Sequence, residues 1–276
     1  MPAVSGARPV LKWAGGKRQL LPELLRRLPP RFGAYHEPFV GGGALFFALA
    51  TQGRLGQVYL SDANPSLIAV YLALRDDVDA VIAALRRHRY DRDHYYAVRA
   101  LRPEDLSLPE RAARILYLNK TCYNGLYREN RAGQFNVPFG RYANPTICDE
   151  PNLRAASAVL HGVDIAQRHF STVLDYARPG DFVYFDPPYD PLSATANFTG
   201  YDRRGFGPDD QRQLRDVFAA LAGRGVRAML SNSDTPFIRE LYAGFPLQQV
   251  FVGRAVNSRV EGRGKVAEVI ITSFTL

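Results

Sequence analysis

Two cysteines are too few for a disulfide framework, and a reducing cytoplasm is the expected setting. The five histidines (His36, His88, His94, His161 and His169) are scattered, with no ligand spacing to cysteine or acid, so no metal is expected. The longest clean apolar run, 44–50, is far too short to span a bilayer, which removes membrane partners. Residues 1–8 lack an apolar h-region, so no secretory signal is expected. No internal repeat or low-complexity tract interrupts the chain. What remains is a 276-residue sequence, 46% hydrophobic, with enough apolar material for a large α/β domain plus an insert. A net charge of +8 suits a polyanionic partner, although a basic balance alone also fits many soluble proteins.

The most informative stretch is Val183-Tyr184-Phe185-Asp186-Pro187-Pro188-Tyr189. An apolar run reads as a buried strand and stops at a carboxylate, two prolines and a tyrosine. Each proline fixes its own φ and biases the residue before it toward extended geometry, so the strand ends in a stiff corner. The Asp186 carboxylate and the Pro187 carbonyl are two acceptors able to grip both hydrogens of a planar amine, with Tyr189 stacked on the attached ring. Taken alone, the segment also fits a plain strand-ending turn.

Upstream, Tyr35-His36-Glu37-Pro38 reads as a strand, and Phe39-Val40-Gly41-Gly42-Gly43-Ala44-Leu45-Phe46-Phe47 as a glycine turn opening an apolar helix. This is the layout of a nucleotide-type cofactor loop, where absent Cβ atoms let backbone approach the ligand. Phe46 stands where a dinucleotide fingerprint needs a small residue, so an adenosine without phosphates fits better than a pyrophosphate. A helix-capping turn is the plainer alternative. Next, Gln57-Val58-Tyr59-Leu60-Ser61-Asp62 reads as a second strand ending in an acid, about 20 residues after Gly41, the spacing of a ribose-binding carboxylate. Asp62 also fits a helix N-cap, for which Asn64 is better placed.

In this order the motifs resemble the Dam family of DNA adenine methyltransferases, which use S-adenosylmethionine as methyl donor. Leu11-Lys12-Trp13-Ala14-Gly15-Gly16-Lys17 is similar to the family's first motif, and the glycine loop, Asp62 and the Asp-Pro-Pro-Tyr corner follow. Leu192-Ser193-Ala194-Thr195-Ala196-Asn197-Phe198-Thr199 resembles the loop after the corner. Tyr123-Asn124-Gly125-Leu126-Tyr127-Arg128 with Gln134-Phe135-Asn136-Val137-Pro138-Phe139-Gly140-Arg141-Tyr142 resembles the DNA-reading hairpin. The resemblance covers nearly the whole chain. It implies an α/β, Rossmann-like S-adenosylmethionine-dependent fold, a seven-stranded mixed sheet with one reversed strand, a helical DNA-recognition insert and a β-hairpin. It implies Asp186, Pro187, Pro188 and Tyr189 at the reacting amine, and Trp13, Lys17, Phe39, Gly41, Gly43, Asp62 and Asp186 at the cofactor. Trp13 as a core residue and Lys17 as a surface lysine are the alternatives.

The expected organisation is a catalytic domain from 1–65 and 150–276 around a target-recognition insert at 66–149. Helical patterns at 66–74, 78–87, 94–101 and 109–119 follow one another without strands, as an all-helical insert would. Arg86, Arg87, Arg89, Arg92, Arg99 and Arg102 fall there, each a surface charge singly and together a candidate phosphate-facing side. The helix after Gly16 is expected at 18–28. After 150 the rhythm gives helices at 152–160, 208–221 and 235–242, and strands at 162–165, 182–185, 227–231, 247–252 and 266–274. A glycine-rich basic loop at 253–265 joins the last two strands.

A ribbon at 123–142 can enter a major groove, where arginine bonds guanine and asparagine bonds adenine. By resemblance the site is GATC, within double-stranded DNA. Arg128 is expected on a guanine and Lys12 on another contact. Tyr123 is expected to wedge into the stack, and Leu126 and Pro138 to touch a thymine methyl; Asn124, Asn136, Arg141 and Tyr142 complete the set. The target adenine has to leave the duplex to reach the corner. Attack at a cytosine ring carbon needs a cysteine thiolate, carried after a proline in such enzymes; Cys122 follows Thr121 and Cys148 follows Ile147. Cytosine-amine enzymes usually carry serine where Asp186 stands, and glutamine-amide enzymes asparagine; a silent DNA-binding module would not need the corner. A monomer associated with the nucleoid is expected, with a restriction endonuclease as a genetic partner in some members of the family.

Overall fold

The computed structural model describes residues 6–13, 17, 19–130, 132–191, 206–253 and 265–275. The expectations for Ala14, Gly15 and Gly16 of the opening motif, for 192–199 and for the loop at 254–264 fall outside these residues.

The chain runs α1 (Leu21–Arg26), β1 (Tyr35–Glu37), α2 (Ala44–Thr51) and β2 (Val58–Asp62). Four helices follow, α3 (Pro65–Asp76), α4 (Val78–Arg86), α5 (Arg92–Ala100) and α6 (Leu108–Thr121). Then come α7 (Glu150–Leu160), β3 (Asp164–Gln167), α8 (Val173–Tyr176), β4 (Phe182–Phe185), α9 (Pro208–Gly223), β5 (Arg227–Ser233), α10 (Pro236–Leu241), β6 (Leu247–Gly253) and β7 (Lys265–Thr272). The strands form one seven-stranded sheet in the order β3-β2-β1-β4-β5-β7-β6. Its first five members are parallel, and β7 lies antiparallel to both β5 and β6. This is the doubly wound, Rossmann-like mixed sheet expected from sequence. The strand order reverses between β1 and β4, which in such sheets opens a crevice at the carboxyl ends of the strands.

Local chemistry sets the element boundaries. The Asn64 side chain accepts the Leu67 N–H at 3.0 Å and Pro65 opens α3, while Asp77 and Asp91 cap α4 and α5 in the same way. Ser107 and Glu110 form a capping box on α6. On β4, Phe182 and Tyr184 belong to one apolar cluster and Val183 and Phe185 to another, so the period of two feeds a core on each face of the sheet. No helix among the described residues is long and apolar enough to cross a membrane.

Three expectations need correction. Helix α1 covers Leu21–Arg26 rather than 18–28, because Pro22 lacks an N–H and fits only a first turn. Strand β3 begins at Asp164, two residues later than expected, because the residues after α7 turn through Gly162 at φ 75°. The hairpin at 123–142 is no continuous ladder: the described residues carry isolated bridges at Cys122–Phe139 and Glu129–Phe135. A 3₁₀ turn at Tyr123–Gly125, with Asn124 at φ 56°, and the missing N–H of Pro138 interrupt the pairing.

Away from the crevice, Asp181 ties β1 to β4. Its Oδ1 accepts the Ala34 N–H at 2.8 Å; its Oδ2 accepts the Arg178 N–H at 2.9 Å and lies 3.0 Å from His36 Nε2. Asp181 and His36 are both buried, so removing the carboxylate strands several donors away from water. Asp181→Ala is therefore expected to lower the unfolding free energy by roughly 3 kcal/mol in urea titration. A loss below about 1 kcal/mol would mean that these donors find other partners.

Candidate active site

The carboxyl ends of β1, β2 and β4 supply Glu37, Asp62 and Asp186 to one cleft of about 2270 Å³. Trp13, Lys17, Phe39, Gly41, Gly43, Pro187, Pro188 and Tyr189 line the same cleft, as do Lys12 and Asn136. The sequence motifs separated by up to 177 positions in the chain thus meet at the reversal of strand order.

Asp186 directly follows β4, with its side chain 20% exposed. Lys17 Nζ lies 2.7 Å from its Oδ1, and the Ser231 hydroxyl donates to the same oxygen at 3.2 Å. Burial pushes the Asp186 carboxyl up from its ordinary value, and the Lys17 ammonium and Ser231 hydroxyl pull it back down. Lys17 itself is buried, and its ammonium sits 4.1 Å from the centroid of the Tyr189 ring.

The corner is held from behind by more than its prolines. Gln211 on α9 donates through Nε2 to the Pro188 carbonyl at 3.0 Å, and Asn232 on β5 donates to Gln211 Oε1 at 3.1 Å. Asn232 Oδ1 in turn accepts the Asp190 N–H at 3.0 Å, so backbone on both sides of Tyr189 is fixed by one buried amide pair. The Tyr189 hydroxyl donates to Glu268 of β7 at 2.9 Å.

In the glycine turn, Gly41 has φ 47° and Gly43 φ 66°, conformations that disfavour other residues. A Cβ on Gly41 would lie 2.9 Å from Trp13 Cδ1, so the glycine is what lets the indole rest on the turn. The Trp13 ring also lies 4.9 Å from the Tyr127 ring, centroid to centroid. Asp62 Oδ2 accepts the Gly41 N–H at 3.1 Å and Oδ1 accepts the Asn64 N–H at 3.0 Å. Asn64 is the cap of α3, as expected, yet Asp62 also takes part in backbone bonds that fix its orientation. Burial raises Asp62 to about 6 against the backbone donors that lower it. Phe39 stacks on Phe170 at 5.3 Å and lies edge-on to Phe206.

Glu37 was not singled out from sequence. It is 2% exposed, and burial pushes its carboxyl up to about 8, against a Tyr35 hydroxyl that donates to Oε2 at 2.8 Å. Glu37, Asp62 and Asp186 therefore face the cleft from neighbouring strand ends, with the buried Lys17 ammonium on Asp186. These strand-end acceptors suit a ligand that donates hydroxyl hydrogens or carries positive charge beside them, such as a sulfonium nucleoside. Among the described residues no group of three or more His, Cys, Asp or Glu is placed to hold a metal ion.

The profile of the D12 class N6 adenine-specific DNA methyltransferases matches residues 13–255. The chain belongs to this family. It is 42% identical to a Type II methyltransferase of Lactococcus lactis subsp. cremoris, over 97% of this chain and 95% of that one. It is 40% identical to a Type II methyltransferase of Methanocaldococcus jannaschii, over 97% and 99%. A DNA adenine methylase of Escherichia coli K12 is 37% identical over 95% and 94%.

The residues assigned to DNA in this adenine methyltransferase are distributed differently. Lys12 and Asn136 line the cleft, whereas Tyr123, Asn124, Leu126, Arg128, Pro138, Arg141 and Tyr142 do not. Tyr123, Asn124, Leu126, Arg128, Pro138 and Arg141 are exposed, while Gly125, Tyr127, Phe135 and Val137 between them are buried. Arg128 Nε donates to Asn136 Oδ1 at 2.7 Å, so these two expected readers are bonded to each other. The Tyr142 hydroxyl donates to the Cys122 carbonyl at 2.9 Å, and Lys12 Nζ lies 5.5 Å from the Tyr142 ring centroid. Within 66–149, Arg86, Arg87 and Arg102 pair with Glu150, Glu110 and Glu104, which leaves them less suited to phosphate than their count suggested.

Sequence reasoning missed Glu37, Ser231, Gln211, Asn232 and Glu268. Only Glu37, an acid closing a buried strand one residue before a proline, carried a local signal.

Glu37 and Asp62 hold protons in the folded chain at pH values where the unfolded chain has released them. The stability this contributes is full below about pH 4 and is lost as pH rises through about 6 for Asp62 and about 8 for Glu37. Unfolding free energy of the cofactor-free protein is thus expected to fall between pH 5 and 8. Glu37→Gln is expected to remove most of that slope, up to about 4 kcal/mol. Urea titration across this range checks it, and an unchanged slope in the variant would assign the effect elsewhere.

Proposed function

We propose that this chain transfers the methyl group of S-adenosylmethionine to the N6 amine of an adenine flipped out of duplex DNA, within GATC. The observation that carries this reading is the shared cleft: the Asp186 corner at the end of β4 lies beside the glycine turn that follows β1. In this reading Trp13, Lys17, Phe39, Gly41, Gly43 and Asp62 hold the cofactor, with Asp62 accepting from ribose hydroxyls. S-adenosylmethionine, when bound, supplies a methyl group already activated by its sulfonium.

The rest of the work falls to the chain's own groups. An aromatic amine is a poor nucleophile because its lone pair is delocalised into the ring. The Asp186 carboxylate and the Pro187 carbonyl accept its two hydrogens and draw the nitrogen toward tetrahedral geometry. Tyr189, fixed at its hydroxyl by Glu268, offers a face for the flipped base. As the new C–N bond forms and the methyl–sulfur bond breaks to leave a neutral thioether, positive charge builds on nitrogen; the Asp186 carboxylate would stabilise that charge and take the surplus proton. Lys17 and Ser231 favour the charged form of this carboxyl, against the burial that raises it. The helical segment 66–149 serves as the target-recognition insert. Its exposed 123–142 edge reads the flanking bases through Arg128 and Asn124, with Lys12, Tyr123, Leu126, Asn136, Pro138, Arg141 and Tyr142 as further contacts.

Asp186→Ala is expected to abolish methyl transfer while leaving S-adenosylmethionine affinity within a few-fold; calorimetry and a labelled-methyl assay read the two. Robust turnover by this variant would remove Asp186 from the mechanism.

Sequence reading is tested by methylation of GATC and its single-base variants at several salt concentrations. Arg128→Ala is expected to lose roughly 1–3 kcal/mol of discrimination at one position. A uniform loss across all sites with a shallower salt slope would make Arg128 a phosphate contact. Wild-type modification of a different site would overturn GATC itself.

A further inference from the structure

Ser231 lies on β5 with no exposed surface, and the β4–β5 register sets Leu230 opposite Phe185, so Ser231 comes beside Asp186. Its hydroxyl donates to Asp186 Oδ1 at 3.2 Å and stands 2.9 Å from the Tyr184 hydroxyl. A serine hydroxyl has one proton. With that proton on the carboxylate, Tyr184 has to donate to Ser231, giving a chain Tyr184 → Ser231 → Asp186 with a single polarity. Tyr184 is 1% exposed, so bulk water does not compete for either hydroxyl. An ionised Asp186 ends the chain with acceptors alone, whereas a protonated one adds a donor that needs its own partner.

We infer that Ser231, oriented by Tyr184, is a positioning residue for methyl transfer: it donates to Oδ1 of the Asp186 carboxylate and fixes its orientation, leaving Oδ2 for the substrate amine. The inference rests on the proposed role of Asp186 as acceptor. Several groups act on this carboxyl. Lys17 faces it from the N-terminal segment, Tyr35 and Glu37 from β1, Asp62 from β2, Tyr184 from β4 and Tyr189 from the corner, with Glu268 of β7 behind Tyr189. Lys17 and Ser231 favour the charged form, whereas Glu37 and Asp62 oppose it whenever they are ionised. Removing Ser231 withdraws one of the two supports and leaves the other in place.

The test is the pH dependence of kcat at saturating cofactor and DNA for wild type, Ser231→Ala, Ser231→Thr, Tyr184→Phe and Asp186→Asn. Ser231→Ala is expected to lower kcat roughly tenfold, with both KM values within about two-fold. Its acid limb should move up by about one pH unit, because a donor to the charged form has been lost. Ser231→Thr, which keeps the hydroxyl, should restore most of the rate and the limb. Tyr184→Phe should move the limb in the same direction by less, and it carries the test should Ser231→Ala not fold. A wild-type rate and limb in Ser231→Ala would overturn the inference, as would a lost rate with an unmoved limb. Asp186→Asn separates the two readings. If it turns over normally, the acceptor role falls; if it is inactive while Ser231→Ala behaves as wild type, only the role of Ser231 falls.

Discussion

The parallel pairing of β1 with β4 is the constraint on which the rest of the site depends. It is the point where the strand order turns back, with β2 and β3 laid to one side and β5, β7 and β6 to the other. Glu37, Asp62 and Asp186 all enter the cleft from strand ends near this line. The register is narrow: Phe185 opposite Leu230 brings Ser231 to Asp186, and a one-residue slip would send each to the opposite face of the sheet. The apolar clusters above and below the sheet hold that register. Residues of β4 divide between them in strict alternation, so a slip would also bury the wrong side chains.

The cleft is electrostatically unfinished in a particular way. Burial makes ionisation of Glu37, Asp62 and Asp186 unfavourable, and Lys17 is committed to Asp186 by contact. The protein relieves this locally: Glu37 remains protonated near neutral pH, and Asp62 is eased by backbone N–H donors. A ligand carrying positive charge would do the same for these acids without protons. The same accounting argues against a phosphate ligand, which would add negative charge beside groups already resisting ionisation. Phe46, buried in the core from α2, stands where a dinucleotide fingerprint carries a small residue for close helix–strand packing.

Much of the fold was legible because it is written in short-range patterns. The cap Asn64, the apolar run of β4 and the glycine turn after β1 each act within a few residues. The helices at 78–86 and 208–223 follow their apolar periods to within two residues of expectation. What could not be read depends on partners far along the chain. Ser231 sits in a strand whose sequence reads only as apolar residues with a polar end; its partner lies 45 residues away. Gln211 and Asn232 look like ordinary surface amides in sequence, and they are buried because Pro188 and Asp190 are brought to them by the corner. The hairpin failed as a ladder for a local reason instead: Asn124 in a left-handed turn and Pro138 without a donor outweigh the alternation around them.

The pairing of Arg128 with Asn136 bears on how bases would be read. A guanidinium bound at Nε by an amide oxygen, and through its second terminal nitrogen at 3.3 Å to the Asn136 carbonyl, is already held in a defined plane on an exposed edge. Its flanking Tyr127 and Phe135 are buried and meet edge-on at 5.6 Å, which anchors the backbone from which Arg128 projects. Order is therefore installed before any base arrives, and less side-chain entropy remains to be lost on contact. On the proposed reading a guanine competes with one neutral amide for the guanidinium, and Asn136 is released as that exchange occurs. Discrimination then comes from the difference between a bidentate base edge and an internal amide, so the internal bond that lends Arg128 its order also sets a threshold that poorer base edges do not pass.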